Sequence, residues 1–212
     1  PVLGGTIKIA EFIETIDDLS KLSTEKWLIY LKQSIARANG EKIHFGFSLY
    51  NASNKNYQTV QKTALTVKKQ IKEEHKVRLV SSKEPALSSV IVAKNKLINN
   101  ELLIVKYNNQ WLLGMTRAVQ DFVKYGRRDM ERPGRDSKSG MLPPKVSQMM
   151  LNIGSTSRQK VILDPFCGSG TILQEAMLLG FKGIHGSDLS PKAVQDSKNN
   201  VKWLKKEFDL DT

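Results

Sequence analysis

Cysteine is nearly absent. Cys167 stands alone in 212 residues, which excludes an internal disulfide framework and a four-cysteine zinc site. The three histidines, His44, His75 and His185, are scattered without ligand spacing, so no metal site is expected. No apolar run is long enough to span a bilayer, and no signal-peptide pattern opens the chain. The expectation is a cytoplasmic protein with no membrane partner. Internal repeats and low-complexity stretches are missing too, which excludes solenoids and disordered tails as the organising principle.

Acid is the charge in short supply: 21 Asp and Glu face 33 Lys and Arg, a net charge of +12. Half of that excess lies between Asn54 and Lys83. There Lys55, Lys62, Lys68, Lys69, Lys72, Lys76, Arg78 and Lys83 outnumber Glu73 and Glu74. Concentrated positive charge is the footprint of a polyanion partner, and a solubilising surface is the plainer reading of the same residues. The length suits one large domain or two small ones. Pro1 and the following Gly4–Ala10 read as the middle of a domain, so truncation is expected at the front as well as at the back.

Three stretches separate along the chain. In the first, Thr6–Glu11 and Lys42–Leu49 alternate like strands around a helix over Thr24–Ala38, with Trp27, Leu31 and Ile35 as its stripe. In the second, Ala64, Val67 and Ile71 line one face of a helix over Gln61–Glu74 while Lys62, Lys69 and Lys72 lie off it. Strands are expected at Val77–Ser81 and Ser89–Lys94, then a hairpin of Leu102–Tyr107 and Gln110–Met115 around Asn108-Asn109. The third stretch opens in a charged connector, Arg127–Lys145. A helix beginning near Pro143-Pro144 follows, with Val146, Met149, Met150 and Ile153 as its apolar face. After it come strand Lys160–Leu163, helix Ile172–Leu179, strand Gly183–Ser187, and a helix from Pro191 capped by Ser190. That β-α-β-α order is the first half of a doubly wound parallel sheet.

The chemistry concentrates in LDPFCGSGTILQEA, Leu163–Ala176. Gly168 and Gly170 let backbone approach a ligand where a Cβ would clash, and the helix start beyond them suits an anionic group. Asp164 ends one strand; Asp188, 18 residues after Gly170, ends the next, the spacing at which an acid reaches a ribose hydroxyl. A pyrophosphate would be repelled by Asp164, and Leu173 replaces the third glycine of a dinucleotide fingerprint. An adenosyl group bearing a zwitterionic sulfonium amino acid suits this set of groups better. A tight strand–helix turn with no ligand is the bland alternative.

LDPFCGSGT with GSDLSP resembles the class I S-adenosylmethionine-dependent methyltransferases. The longer RRDMERPGRDSKSGMLPPKVSQMMLNIG followed by ILDPFCGSGTILQEA resembles the tRNA guanine-N2 methyltransferases that carry a THUMP domain. ELLIVKYNNQWLLGMTRAVQD resembles the close of THUMP in that family, and Gly4–Ala10 part of the ferredoxin-like domain before it. The resemblance implies an α/β chain: an N-terminal α+β ferredoxin-like/THUMP region, then the first half of a Rossmann-like methyltransferase sheet. It implies a partial ferredoxin-like domain over residues 1–51, THUMP over 52–117, and linker plus methyltransferase over 118–212.

By the same resemblance the cofactor is S-adenosylmethionine. Met141, Leu142 and Pro143 pack over it, Asp164, Phe166, Gly168, Ser169 and Gly170 cradle the methionine end, and Asp188 holds the ribose. The expected partner is tRNA or another structured RNA, gripped through Lys62, Lys69, Lys72 and Arg78, with Arg127, Arg128, Arg132 and Arg135 on phosphates. A self-paired, solvated linker is the alternative reading of those four arginines. Cys167 reads as a small buried filler, and Trp111 and Trp203 as core rather than base-stacking platforms. A small activator subunit, as in some relatives, is left open.

One expected feature is missing. Guanine's exocyclic amine is a poor nucleophile, and enzymes of this type are expected to clamp it with an Asp/Asn-Pro-Pro-aromatic turn. No such turn occurs in the 212 residues. The catalytic residues are therefore unassigned, and the expectation is a chain incomplete for catalysis within a guanine-N2 tRNA methyltransferase. Ribosomal RNA guanine-N2 methylation and a non-catalytic RNA-binding THUMP protein are the alternatives.

Overall fold

Strand β1 (Lys8–Ile16) and the last strand of the N-terminal unit, β5 (Gln110–Val119), pair antiparallel from Lys8↔Val119 to Ile16↔Trp111. Between them in sequence lie α1 (Thr24–Ala36), β2 (Ile43–Tyr50), α2 (Asn54–Glu74), β3 (Val77–Val80), α3 (Ser89–Lys94) and β4 (Glu101–Tyr107). The computed structural model describes residues 3–136, 140–155 and 157–210. It divides into two compact units: Ile7–Gln120, and the residues from Asp121 onward together with those before Ile7.

The N-terminal unit is built on one sheet in the order β1-β5-β4-β2-β3, with β2 parallel to both β3 and β4. A parallel centre needs cover on both faces. Phe45, Phe47 and Leu49 of β2 pack with Trp27 and Leu31 of α1 and with Val60, Ala64, Val67 and Ile71 of α2. Trp27 meets Phe45 and Phe47 edge-on, at 6.2 and 6.0 Å between ring centres. A separate cluster of Val80, Leu87, Val92 and Leu97 gathers around α3. Helix ends are chemically marked: Ser23 caps α1, and Ser53 forms a reciprocal capping box with Asn56 at the start of α2.

Two expectations change here. The boundary placed at residue 51 falls inside a continuous sheet, because β2 lies between β3 and β4. Ser89–Lys94 is a helix rather than a strand. Its run of β-branched residues suits a strand, but Ser88 accepts the Ile91 N–H as an N-cap, and the helix buries Val92 completely. The Asn108-Asn109 hairpin forms where the sequence places it, with Asn108 at φ +52° joining Tyr107 to its partner Gln110.

In the C-terminal unit α4 (Phe122–Met130) and α5 (Pro144–Gly154) precede β6 (Val161–Asp164), α6 (Thr171–Leu178), β7 (Gly183–Gly186) and α7 (Pro191–Glu207). β6 and β7 pair in parallel from Val161↔Gly183 to Asp164↔Gly186, the crossover expected of a β-α-β unit. Leu151, Ala176 and Phe181 form its apolar centre. The expected stripe of α5 is not its buried face: Met150 and Ile153 are exposed, whereas Ser147, Gln148 and Leu151 are buried. The cause is polar. The Tyr125 hydroxyl donates to Gln148 Oε1, Gln148 Nε2 donates to Glu175 at 2.5 Å, and Arg128 Nε donates to the same carboxylate at 2.6 Å. The first part of the charged connector is thus helix α4, with Tyr125 and Arg128 turned inward.

A second buried network ties the N-terminal sheet together. Glu101 is fully buried and pairs with Lys8, itself almost wholly buried, while Ser48 and Thr116 donate to its oxygens at 2.5 and 2.6 Å. Those four residues come from β4, β1, β2 and β5. Lys8→Met should destabilise the protein by about 3–5 kcal/mol, because it strands a buried carboxylate. Lys21→Met, at the exposed pair with Asp17, should cost about 0.5 kcal/mol or less. Urea unfolding of the two variants beside the parent tests the contrast, and equal costs would refute it.

Candidate cofactor site

β6 and β7 end side by side, and the chain leaves each through an acid. At Asp164 the carbonyl accepts the Ser187 N–H at 3.0 Å, and the Ser187 carbonyl accepts the Cys167 N–H at 2.9 Å. The turn between β6 and α6 is therefore stitched to the residues following β7. The Phe166 N–H donates to Asp164 Oδ1 at 3.2 Å. Asp188 accepts the Gly168 N–H and the Ser190 N–H, both at 2.9 Å, and these amides hold its carboxyl below the usual range. The second acid is thus seated directly on the glycine turn.

Both glycines are conformationally required. Gly168 has φ +50° and Gly170 φ +81°, the left-handed region that costs other residues strain. Around Gly168 a Cβ would meet nothing within 4 Å, whereas at Gly170 it would lie 2.3 Å from Ser197 Oγ. One glycine leaves open space at the mouth of the turn; the other lets α7 close against it. That opening is flanked by two carboxylates and the start of α6.

The turn is held from behind by side chains that the sequence reading missed. Asn200, fully buried on α7, accepts the Gly134 N–H at 2.7 Å and donates to the carbonyls of Gly134 and Ser169 at 2.7 and 2.8 Å. Gln174 donates to the Gly170 carbonyl at 3.0 Å. Arg132 Nη1 donates to Thr171 Oγ1 at 2.6 Å, and its Nη2 lies 3.2 Å from Met141 Sδ. Gly134 is also required, since a Cβ there would lie 2.7 Å from that of Asp196. Two polar residues, Ser197 and Asn200, at helical spacing with Leu204 on the buried face of α7 were the available signal.

The structure brings Asp164, Phe166, Gly168, Ser169, Gly170 and Asp188 to the carboxyl end of the two strands, with Phe166 exposed and Ser169 buried. Met141 joins them through Arg132 and Thr171. Leu142 is half-buried, and exposed Pro143 is the residue before α5. Cys167 is buried, and burial with the charges of Asp164 and Asp188 pushes its thiol up, away from the reactive thiolate. Trp111 is buried in the N-terminal core, and half-buried Trp203 packs edge-on against Phe208.

The basic residues divide. Lys62, Lys69 and Lys72 are exposed along α2 and Arg78 is exposed on β3. Lys72 borders a cleft of about 450 Å³ with Lys42, His75 and Lys76. Arg127 pairs with Glu131 and Glu207, and Arg135 is exposed. Two expectations of phosphate contact are corrected. Arg128 is 4% exposed and ion-paired to Glu175, and Arg132 is 2% exposed beside Thr171, so neither can reach an RNA backbone.

Residues 132–208 match a family model described as RMKL-like, methyltransferase domain. Over 62 residues the chain is 37% identical to the tRNA (guanine(10)-N2)-dimethyltransferase of Methanothermobacter thermautotrophicus and 42% identical to that of Methanocaldococcus jannaschii. Those stretches cover 29% of this chain and 18% and 17% of the two relatives. The solved structure of TrmN from Thermus thermophilus is similar in fold, with a TM-score of 0.53 at 17% identity, covering 96% of this chain and 54% of TrmN. The match thus spans under a fifth of the curated relatives. The matched stretch of this chain is similar to a methyltransferase domain.

Asn200→Ala would leave the Gly134 N–H and the Gly134 and Ser169 carbonyls without their shared partner. A loss of about 3 kcal/mol is expected, since each abandoned buried group costs roughly 1–3 kcal/mol. Urea unfolding measures it, and a loss under about 0.5 kcal/mol would show that the clamp contributes nothing.

Proposed function

We propose that this chain binds the methyl donor and the RNA for transfer of a methyl group from S-adenosylmethionine to the exocyclic N2 of a guanosine in tRNA. The observation that carries the proposal is Asp188 seated on the Gly168 amide, at the open end of two parallel strands. Bound there, the sulfonium group would supply an electrophilic methyl. The chain's own residues bind and orient. Asp188, half-buried, receives the ribose hydroxyls; Asp164 faces the ammonium of the amino-acid end; Gly168 leaves room for the donor's backbone. Met141, Leu142 and Pro143 cover it. The choice of guanine N2 and of tRNA draws on the activity named for the two archaeal relatives.

RNA would be held by the N-terminal unit, which we read as including a THUMP-like region. Lys62, Lys69 and Lys72 present unneutralised charge along one exposed helix, with Arg78 on β3 and Arg135 in the connector. The absence of an Asp/Asn-Pro-Pro-aromatic turn from the sequence leaves the clamp for the guanine amine unassigned.

Asp188→Ala should abolish S-adenosylhomocysteine binding in calorimetry while unfolding still proceeds cooperatively; unchanged affinity would remove Asp188 from the site. Replacing Lys62, Lys69 and Lys72 together with serine should lower the slope of log affinity for tRNA against log salt by about two to three. An unchanged slope would move the RNA surface elsewhere. N2-methylguanosine in digested tRNA, after incubation with labelled donor, is the product expected from the protein that carries this sequence.

A further inference from the structure

The interior of the C-terminal unit is one negative charge short. Among the described residues its buried side chains that carry full charge are Arg128, Arg132 and Glu175, at 4%, 2% and 1% exposure. Glu175 is committed: one oxygen accepts from Arg128 Nε at 2.6 Å and the other from Gln148 at 2.5 Å. Among the described residues Arg132 has only neutral partners within hydrogen-bond reach, the Thr171 hydroxyl and the Met141 thioether, and its Nε has no partner. Burial drives its pKa down, with Asp129 and Glu175 opposing from a distance and Arg135 adding to the fall. A buried guanidinium normally sits in a forked pair with an oxyanion. This one does not.

Its position says what the missing anion is. Thr171 is the first residue of α6, directly after Ser169 and Gly170, so the guanidinium stands at the positive end of that helix. The Asp164 and Asp188 carboxylates close by disfavour a doubly charged phosphate, and a single carboxylate is the better fit. The neighbour at Nη2 is the sulfur of Met141, a weak acceptor on a flexible side chain that a carboxylate oxygen displaces readily. We propose that Arg132 binds the α-carboxylate of the amino-acid end of the donor, a role resting on the cofactor reading above. Asn200 fixes the segment that presents it, by gripping Gly134 two residues on.

Two ligands that differ only at the amino-acid end separate this role from a structural one. S-adenosylhomocysteine carries the carboxylate; 5′-methylthioadenosine keeps the adenosine and the thioether but has none. In calorimetry, Arg132→Gln should weaken S-adenosylhomocysteine by roughly 10–100-fold, the range for one hydrogen bond to a charged group. It should leave methylthioadenosine within about twofold of the parent, a difference of roughly 0.4 kcal/mol. Equal losses for both ligands, or none for S-adenosylhomocysteine, would overturn the assignment while leaving the site itself intact. Binding of neither ligand by the parent protein would overturn the cofactor reading, and this proposal with it. If Arg132→Gln does not fold, Arg132→Lys decides. It keeps the charge without the fork, and a loss confined to S-adenosylhomocysteine supports the assignment, whereas losses shared by both ligands refute it.

Discussion

A single side-chain amide organises the C-terminal unit. Asn200 reaches from α7 to both polar groups of Gly134 and to the carbonyl of Ser169. Two segments that have no backbone pairing with each other, the connector and the glycine turn, are thereby held at one spacing. With a Cβ at Gly134 or Gly170 the helix could not come close enough for those bonds. The turn in turn offers its Gly168 amide to Asp188, so the seat of the second acid depends on the same support. Burying so many polar groups is tolerable because most are answered within the network; among the described residues of this unit, Arg128 Nη2, Arg132 Nε and Ser147 Oγ are buried without a partner.

Local signals were sufficient where the information is local. Ser190 with Pro191, the glycine pair and the alternation of β6 and β7 with their helices were all readable, because caps, left-handed turns and crossover order are written in a few consecutive residues. The distance from Gly170 to Asp188 was legible for the same reason: one helix and one strand fill it.

What stayed hidden was burial of polar residues and pairing across long separations. An apolar stripe on α5 points to Met150 and Ile153, yet the interior takes Gln148 because Tyr125 and Glu175 are there to meet it. The arginines of the connector read as an RNA grip for want of visible partners. Arg128's partner lies 47 positions away, and Arg132's lies 39. The division at residue 51 failed to anticipate that β2 pairs with strands on both of its sides.

The pairing of β1 with β5 has a consequence for how the protein is made. Lys8 waits for Val119 in the ladder and for Glu101 in the core, so β1 is made well before its partners and is among the last of these strands to find its place. At typical synthesis rates that delay is roughly 5–20 s. Through it, β2, α2, β3 and β4 can assemble around their own parallel centre. The ladder β1 completes is long-range, and long-range pairing is slow to close. Until it does, β1 carries unpaired strand backbone.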